Sequence, residues 1–325
     1  MKKILALIVV AVAMQAHAEE ESDSDLPEWM VDKITPVHSR VSRWVSSTSR
    51  GLDGFFGTDD SLRVKNQSYL RLSQEFEWRE TEDFDTDTSL RFRLDLPTTK
   101  ERLRLVIDSD PEETQGTLEQ QGSQSLRQDQ TDRRNSVVGL DRLSSRDKTQ
   151  NWATKFGAGV KLRFPLDPYV RMTTERLWDV SDGPWQLESY NRLSWFDSDG
   201  YSARSRWDFG RPLDEVRHLR FITNFQWQED VDTLEFSETI ELNRRLSRRS
   251  AIRYAGVMVG NSSSNPRINN YYLLTQYRRS LHKDILFMDV IPELHFPRDS
   301  NFDPRWAFTL RLEMLFTGDI QEPRD

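Results

Sequence analysis

The sequence predicts an all-β chain closed into an antiparallel transmembrane β-barrel of 12–14 strands, with a short N-terminal amphipathic helix ahead of it. Three observations predict this. From Leu62 to Phe316 apolar and ionisable residues alternate with period two, the repeat of a strand whose successive side chains point to opposite faces. The alternating runs are joined mostly by short turn-forming links, which requires antiparallel neighbours because parallel strands need long crossovers. The 325 residues are 30% charged and only 36% hydrophobic, yet include 10 Trp, 17 Phe and 8 Tyr. Such a chain is too polar for a thick aqueous-type core and too aromatic for disorder. A sheet with one thin apolar face and one ionic face satisfies all three observations.

Residues 1–18 read as a secretory signal peptide: Lys2 and Lys3, the apolar stretch Ile4 to Met14, and Ala16-His17-Ala18 with cleavage after Ala18. The apolar stretch is too short to span a bilayer as a helix. Its removal would take the formal charge from -8 to -10 through the loss of the two Lys. Export together with net negative charge argues against nucleic acid as a partner. The absence of Cys excludes disulfides, thiolate nucleophiles and Cys-ligated metals. Beyond residue 18, His occurs only at His38, His218, His282 and His295, without the close spacing of a helical metal pair. No catalytic, cofactor or metal site is therefore expected.

Residues 19–60 hold an acidic stretch, Glu19 to Asp25, and then a helical pattern with Met30, Ile34, Val37, Val41, Trp44, Val45, Leu52 and Phe55 on one face. Pro36 divides the pattern and Gly51 and Gly54 close it. Its polar face carries Lys33, Arg40, Arg43 and Arg50, which suits an anionic surface or a carboxylate-lined lumen. A plug in the barrel, a helix on the membrane surface, and a dock for a periplasmic partner through residues 27–56 all remain open.

The barrel itself is expected over residues 61–317, with a tail at 318–325. Strand candidates are 62–79, 90–96, 102–107, 134–145, 152–164, 169–179, 185–196, 201–209, 217–228, 233–245, 250–259, 268–280, 284–296 and 304–316. The weakest is 134–145, where Val137, Val138 and Leu140 break the alternation; losing its hairpin would leave twelve. The long link from about 110 to 134 is rich in Gln, Asp, Ser and Thr and is expected to be a mobile exposed loop. Trp178, Trp185, Trp195, Tyr201, Trp207, Trp227 and Trp306 fall at or near strand ends, where membrane interfaces favour amphipathic rings.

The ionic parity supplies the expected lumen: Arg63, Arg71, Glu75, Glu77, Arg91, Arg93, Asp95, Arg102 and Arg104 in the first strands, then Arg204, Arg206, Asp208, Arg311 and Glu313. Nine of the 45 basic residues are Lys and the other 36 are Arg, the residue that pairs bidentately with carboxylates and stays protonated. A salt-bridge filling and a selective aqueous pore are equally compatible with this inventory.

The last strand places Trp306, Phe308, Leu310, Leu312, Met314 and Phe316 on one parity against Arg305, Thr309, Arg311 and Glu313 on the other. It resembles the terminal strand of bacterial outer-membrane β-barrel proteins, which ends in an alternating apolar run with a final aromatic. Here nine residues follow Phe316, so the motif is internal. The resemblance implies residence in the cell outer membrane, contact with outer-membrane lipid, and recognition of this strand by the barrel-assembly machinery. The functional expectation is non-enzymatic: passive passage of small polar solutes, or a structural or assembly role in the envelope.

Two other classes stay in view. A lipid or lipopolysaccharide-modifying barrel enzyme would need a nucleophile beside a base. Ser189-Tyr190-Asn191-Arg192-Leu193 resembles the strand beside an outer-membrane phospholipase site but has no upstream His, and His218 with Asp214 and Glu215 is the only cluster of suitable groups. A soluble periplasmic β-protein that binds a ligand or partner would be extracted without detergent.

Overall fold

In a computed structural model, the described residues are 24–26, 68–80, 84–97, 103–109, 111, 115–126, 136–147, 152–180 and 184–318. The expected signal peptide, the helix of residues 27–56, Arg63, Arg102 and residues 319–325 lie outside them, as do the side chains of Asp95 and Arg104.

Fourteen antiparallel strands close into one barrel. They are β1 (Ser68–Arg79), β2 (Asp85–Pro97), β3 (Leu103–Asp108), β4 (Val137–Asp147), β5 (Trp152–Lys161), β6 (Asp167–Val180), β7 (Trp185–Phe196), β8 (Gly200–Pro212), β9 (Arg217–Gln228), β10 (Thr233–Arg245), β11 (Ser250–Asn261), β12 (Ile268–His282), β13 (Leu286–Pro297) and β14 (Arg305–Gly318). Each pairs with its sequence neighbours, and β14 closes on β1 in a register that sets Ser68 opposite Gly318 and Arg79 opposite Ala307. Closure leaves no unpaired edge. The even strand number returns both ends of the barrel segment to one rim, the terminal rim; the connection after β3 emerges at the opposite one.

Burial follows the alternation. In β13, Phe287, Asp289, Ile291, Glu293 and His295 are buried inside, while Leu286, Met288, Val290, Leu294 and Phe296 form the half-buried outer face. In β14, Ala307, Thr309, Arg311, Glu313 and Leu315 are buried and Trp306 and Leu312 are exposed on the outer face. A water-soluble sheet would invert this arrangement. An apolar exterior over an ionic interior is the arrangement of a barrel that faces lipid outside.

Aromatic rings gather in two bands. Toward the terminal rim, Trp178 stacks on Trp207 at 5.9 Å and Trp185 on Phe209 at 4.4 Å. Arg176 lies over both Trp152 and Trp178, and Arg211 over Trp185, long cations whose heads reach the water layer. Toward the opposite rim, Trp78 meets Phe84 and Phe308, and Tyr271 meets Phe296 and Phe302.

The strand that broke alternation does form. β4 carries a bulge: Leu143 pairs with Lys155 and Ser145 with Thr154, leaving one extra residue between them, which shifts the parity of whatever follows. Val137 is apolar on the inner parity because it packs with Tyr169 and Phe196 in a cluster on the lumen wall.

At the terminal rim the chain ahead of the barrel touches down on β12. Ser24 bridges to His282, Asp25 N–H donates to Leu281 O at 2.9 Å, and the Asp25 carboxylate pairs with Arg249 at 2.9 Å and Arg279 at 2.8 Å.

Candidate functional site

Among the described residues, three ion-pair networks line the lumen. On β12, β13, β14 and β1, Arg278 bonds Asp289 at 2.9 Å and also Glu313, Arg71 reaches Glu313 at 3.5 Å, and Arg311 bridges Asp289 at 2.9 Å and Glu75 at 3.6 Å. On β8 to β11, Asp208 pairs with Arg206 and Arg220, and Glu241 with Arg220 and Arg253. On β2 to β7, Arg93 pairs with Asp108 at 3.0 Å, Arg171 with Asp141 at 3.0 Å and Lys155 with Glu175 at 2.9 Å.

This last network fills its side of the barrel. Arg171 crosses the backbone at Gly157 so closely that a Cβ there would sit 2.3 Å from the Asp141 carboxylate and 2.8 Å from the guanidinium; glycine is what lets the pair form. The void left among Arg93, Lys155, Arg171 and Arg192 is only about 20 Å³. The other two networks face each other across open space.

Residues 115–126 of the chain between β3 and β4, expected to be exposed, lie in the lumen instead. They hold a one-turn helix α1 (Leu118–Gly122), entered through Gly116 at φ 74° and capped by Thr117, whose hydroxyl accepts from Gln120 N–H while Gln120 Oε1 accepts from Thr117 N–H. Leu118, Ser123 and Ser125 are buried. Wall carboxylates take the loop's unpaired backbone donors: Leu118 N–H donates to Glu235 at 2.9 Å, and Gln124 and Ser125 N–H donate to Glu293 at 3.1 and 2.9 Å. Ser125 also meets His295 Nε2 at 3.0 Å, Glu119 accepts from Asn270 and Gln124 accepts from Arg311. The polarity that suggested solvent exposure matches an ionic lumen equally well, because the lumen is itself a polar environment.

The loop divides the space. On its opposite-rim side lies a cavity of about 610 Å³ bordered by Arg79, Glu80, Glu119, Ser125, His295 and Arg305. On the other side lies one of about 190 Å³, bordered by the loop residues Leu118, Gln121 and Gln124 and by Arg71, Arg204, Arg206, Arg220, Arg253 and Arg311. Among the described residues, Glu241 is the one carboxylate on that border. Asp208, Asp289 and Glu313 lie off that border, buried, and pair with the guanidinium groups of Arg206 and Arg220, of Arg311, and of Arg71.

Of the predicted lumen residues, Arg71, Arg91, Arg93, Asp208, Arg311 and Glu313 are buried inside, Arg204 and Arg206 border the inner cavity, Glu75 pairs with Arg311, and Glu77 accepts from Arg79 at 2.8 Å. The sequence reading omitted Arg220, Arg253, Arg278, Asp289, Glu293 and His295. All lie on the inner parity of their strands, so the same period-two rule would have found them. The loop had its own signal, since Thr117 and Gln120 stand at capping-box spacing.

The groups considered for catalysis are not assembled. Ser189 lies on the outer parity of β7, opposite Arg176 and Trp207. His218 pairs in register with Pro212 and Asn243, while Asp214 is bound by Arg217 at 2.6 Å. That guanidinium, with the N–H of Val216 and Arg217, holds Asp214 below the usual carboxylate range, as befits a turn-forming acceptor. No cluster of His, Asp and Glu able to hold a metal occurs among the described residues.

No protein-family model matches the chain, and no curated protein does. Solved structures do. A loop-deletion variant of OmpT, an outer membrane protein of Vibrio cholerae, has 10% identity and a TM-score of 0.43, covering 77% of this chain and 98% of that one. OccK10 of Pseudomonas aeruginosa has 8% identity and a TM-score of 0.45, covering 77% and 99%. The outer membrane channel DcaP of Acinetobacter baumannii has 6% identity and a TM-score of 0.43, covering 77% and 96%.

Proposed function

We propose that this chain is an outer-membrane barrel, exported by a cleaved leader, that passes small polar solutes through its lumen, with residues 115–126 as the constriction. The observation that carries the reading is the loop itself. A barrel that merely scaffolded the envelope needs nothing in its lumen beyond the pairs that neutralise it; here a loop is latched across the interior and leaves sizeable cavities on both faces, about 610 and 190 Å³. An inward loop narrows a lumen without closing it, and its polar lining determines what enters. The terminal rim would face the periplasm, leaving residues 27–56 available there for a partner. Trp306 to Phe316 would present the assembly signal to the folding machinery before β14 pairs with β1.

The test is a current recording. Barrel refolded in detergent, verified by a heat-dependent shift on gels, is expected to produce discrete conductance steps in planar bilayers. Folded barrel that inserts yet carries no current would overturn the reading, and recovery of the protein in the soluble periplasmic fraction would overturn the membrane assignment as well.

A further inference from the structure

The cavity beneath the loop has two unlike walls. One is cationic: Arg204 and Arg206 on β8, Arg220 on β9 and Arg253 on β11 converge from one side, and Arg71 and Arg311 approach from the other. The second wall is apolar. Ala255, Val257, Val259, Tyr272 and Leu274 form a buried cluster on β11 and β12, and Leu118 of the loop and Ile222 of β9 border the same space. The apolar strip follows from the inner-parity positions Ala255, Val257 and Val259 of β11, which face Leu274, Tyr272 and Asn270 of β12 on one side and Glu241, Thr239 and Ser237 of β10 on the other.

A salt-bridge filling does not account for this combination. If the arginines served only to neutralise wall carboxylates, the apolar strip beside them would be expected to pack shut, and a cavity of about 190 Å³ remains, many times the 10–15 Å³ or so that one water requires. A second, independent feature points into the same space. Tyr272 is 1% exposed and borders the cavity, and its hydroxyl has no hydrogen-bond partner among the described residues. It abuts Gly122 of α1, where a Cβ would lie 2.3 Å from Oη. A buried hydroxyl without a partner costs free energy, and a solute that accepts from it would remove that cost.

We infer that this cavity is a binding site for small organic anions that join one oxyanion group, carboxylate or phosphate, to an apolar body. The arginine wall supplies planar donors matched to an oxyanion. Asp208 pairs with Arg206 and Arg220, and Glu241, itself on the border, pairs with Arg220 and Arg253, so these guanidinium forks are oriented before the solute arrives, which lowers the ordering cost of binding. Ile222, Val257 and Leu118 take the apolar body, and Tyr272 adds a neutral donor between the two walls. A bare inorganic anion would use only the first wall and a neutral amphiphile only the second.

The inference rests on the pore reading, and one experiment separates their failures. The whole barrel is recorded in KCl with hexanoate, hexanamide or sulfate added, and hexyl phosphate compared with hexanoate to distinguish the oxyanion source. Hexanoate is expected to interrupt the current at lower concentration than either hexanamide or sulfate. Arg204→Gln is expected to raise the half-blocking concentration about tenfold, one charge-assisted hydrogen bond's worth. Tyr272→Phe keeps the packing and removes the donor, and is expected to weaken hexanoate block by a smaller factor. A barrel that conducts KCl but responds alike to hexanoate, hexanamide and sulfate overturns the inference and leaves the pore reading standing; a folded barrel without current removes both. Should Arg204→Gln fail to refold, Tyr272→Phe alone decides: unchanged hexanoate block in that variant counts against the site as drawn.

Discussion

The backbone N–H of Ser125 donates to the Glu293 carboxylate at 2.9 Å, and Gln124 N–H donates to the other oxygen of the same group at 3.1 Å. One carboxylate on β13 thus receives two successive amides of the inward loop. His295, two residues along the same strand, meets Ser125 Oγ at 3.0 Å, so the loop tip is held at adjacent inner positions of a single strand. The proposed constriction would depend on this attachment.

Glu293→Gln keeps the shape and removes the charge. Hydrogen bonds to a charged group contribute about 1.5–3 kcal/mol each against about 0.5–1.5 for neutral ones, so the loop loses roughly 1–3 kcal/mol of attachment. Single-channel recordings are expected to show more frequent excursions to a larger conductance. Currents with the amplitude and noise of the unmodified barrel would mean that Glu293 does not hold the constriction.

Arg278 is the largest fully buried side chain of the described residues, and both its partners, Asp289 and Glu313, are shielded from solvent. Arg278→Met removes the cation shared by the two carboxylates and leaves Asp289 to Arg311 at 2.9 Å and Glu313 to Arg71 at 3.5 Å. Breaking a buried pair from one side costs about 3–5 kcal/mol. A folding titration in lipid vesicles should register that loss, and adding Asp289→Asn and Glu313→Gln should recover much of it. A single variant as stable as the parent would remove this network from the structural account.

Leu310 lies on the outer parity of β14, opposite Phe76 of β1 and Val290 of β13. Leu310→Arg is expected to cost about 2–4 kcal/mol if the side chain meets mid-bilayer lipid. The same titration measures it. No penalty would show that this face of the barrel is covered by something other than lipid.

Asp25 contacts Arg249 and Arg279 at the terminal rim. Burial acts to raise its affinity for protons, but the hydrogen bonds and charges of the two arginines prevail and hold its carboxyl below the usual range. A carboxylate lowered in the folded state stabilises the contact in full above its unfolded value, about pH 4, and that contribution disappears as pH falls through the lower folded value. The chain contains no Cys, so Leu26→Cys accepts a single nitroxide label. Its spectrum should be immobilised at neutral pH and mobile well below pH 4, whereas Asp25→Asn should be mobile at both. An acid-insensitive spectrum in the parent would show that Asp25 does not anchor the segment.

Much of this was legible from single residues. Arg71 and Leu72 stand on opposite faces because adjacent strand residues must, and the same rule assigned Arg204, Arg206 and Asp208 to the lumen and Trp306 and Leu312 to the exterior before any pairing was known. It faltered at β4, where Val137 is apolar on the inner parity because it packs with Tyr169 and Phe196, contacts that no local pattern announces.

What the sequence by itself determined is the composition of two surfaces, since the facing of a strand residue depends on its parity and on little else. Which arginine meets which carboxylate was decided only by closure: Arg311 reaches Asp289 and Glu75 because β14 lies between β13 and β1, a neighbour far away in the chain. The loop is the plainest case. Leu118 and Glu235 are 117 residues apart, and Gln115 to Leu126 compose a polar segment that water would satisfy as readily as the lumen. Only the assembled barrel, by placing Glu235 and Glu293 where the loop's amides fall, makes the inward conformation the better-bonded one.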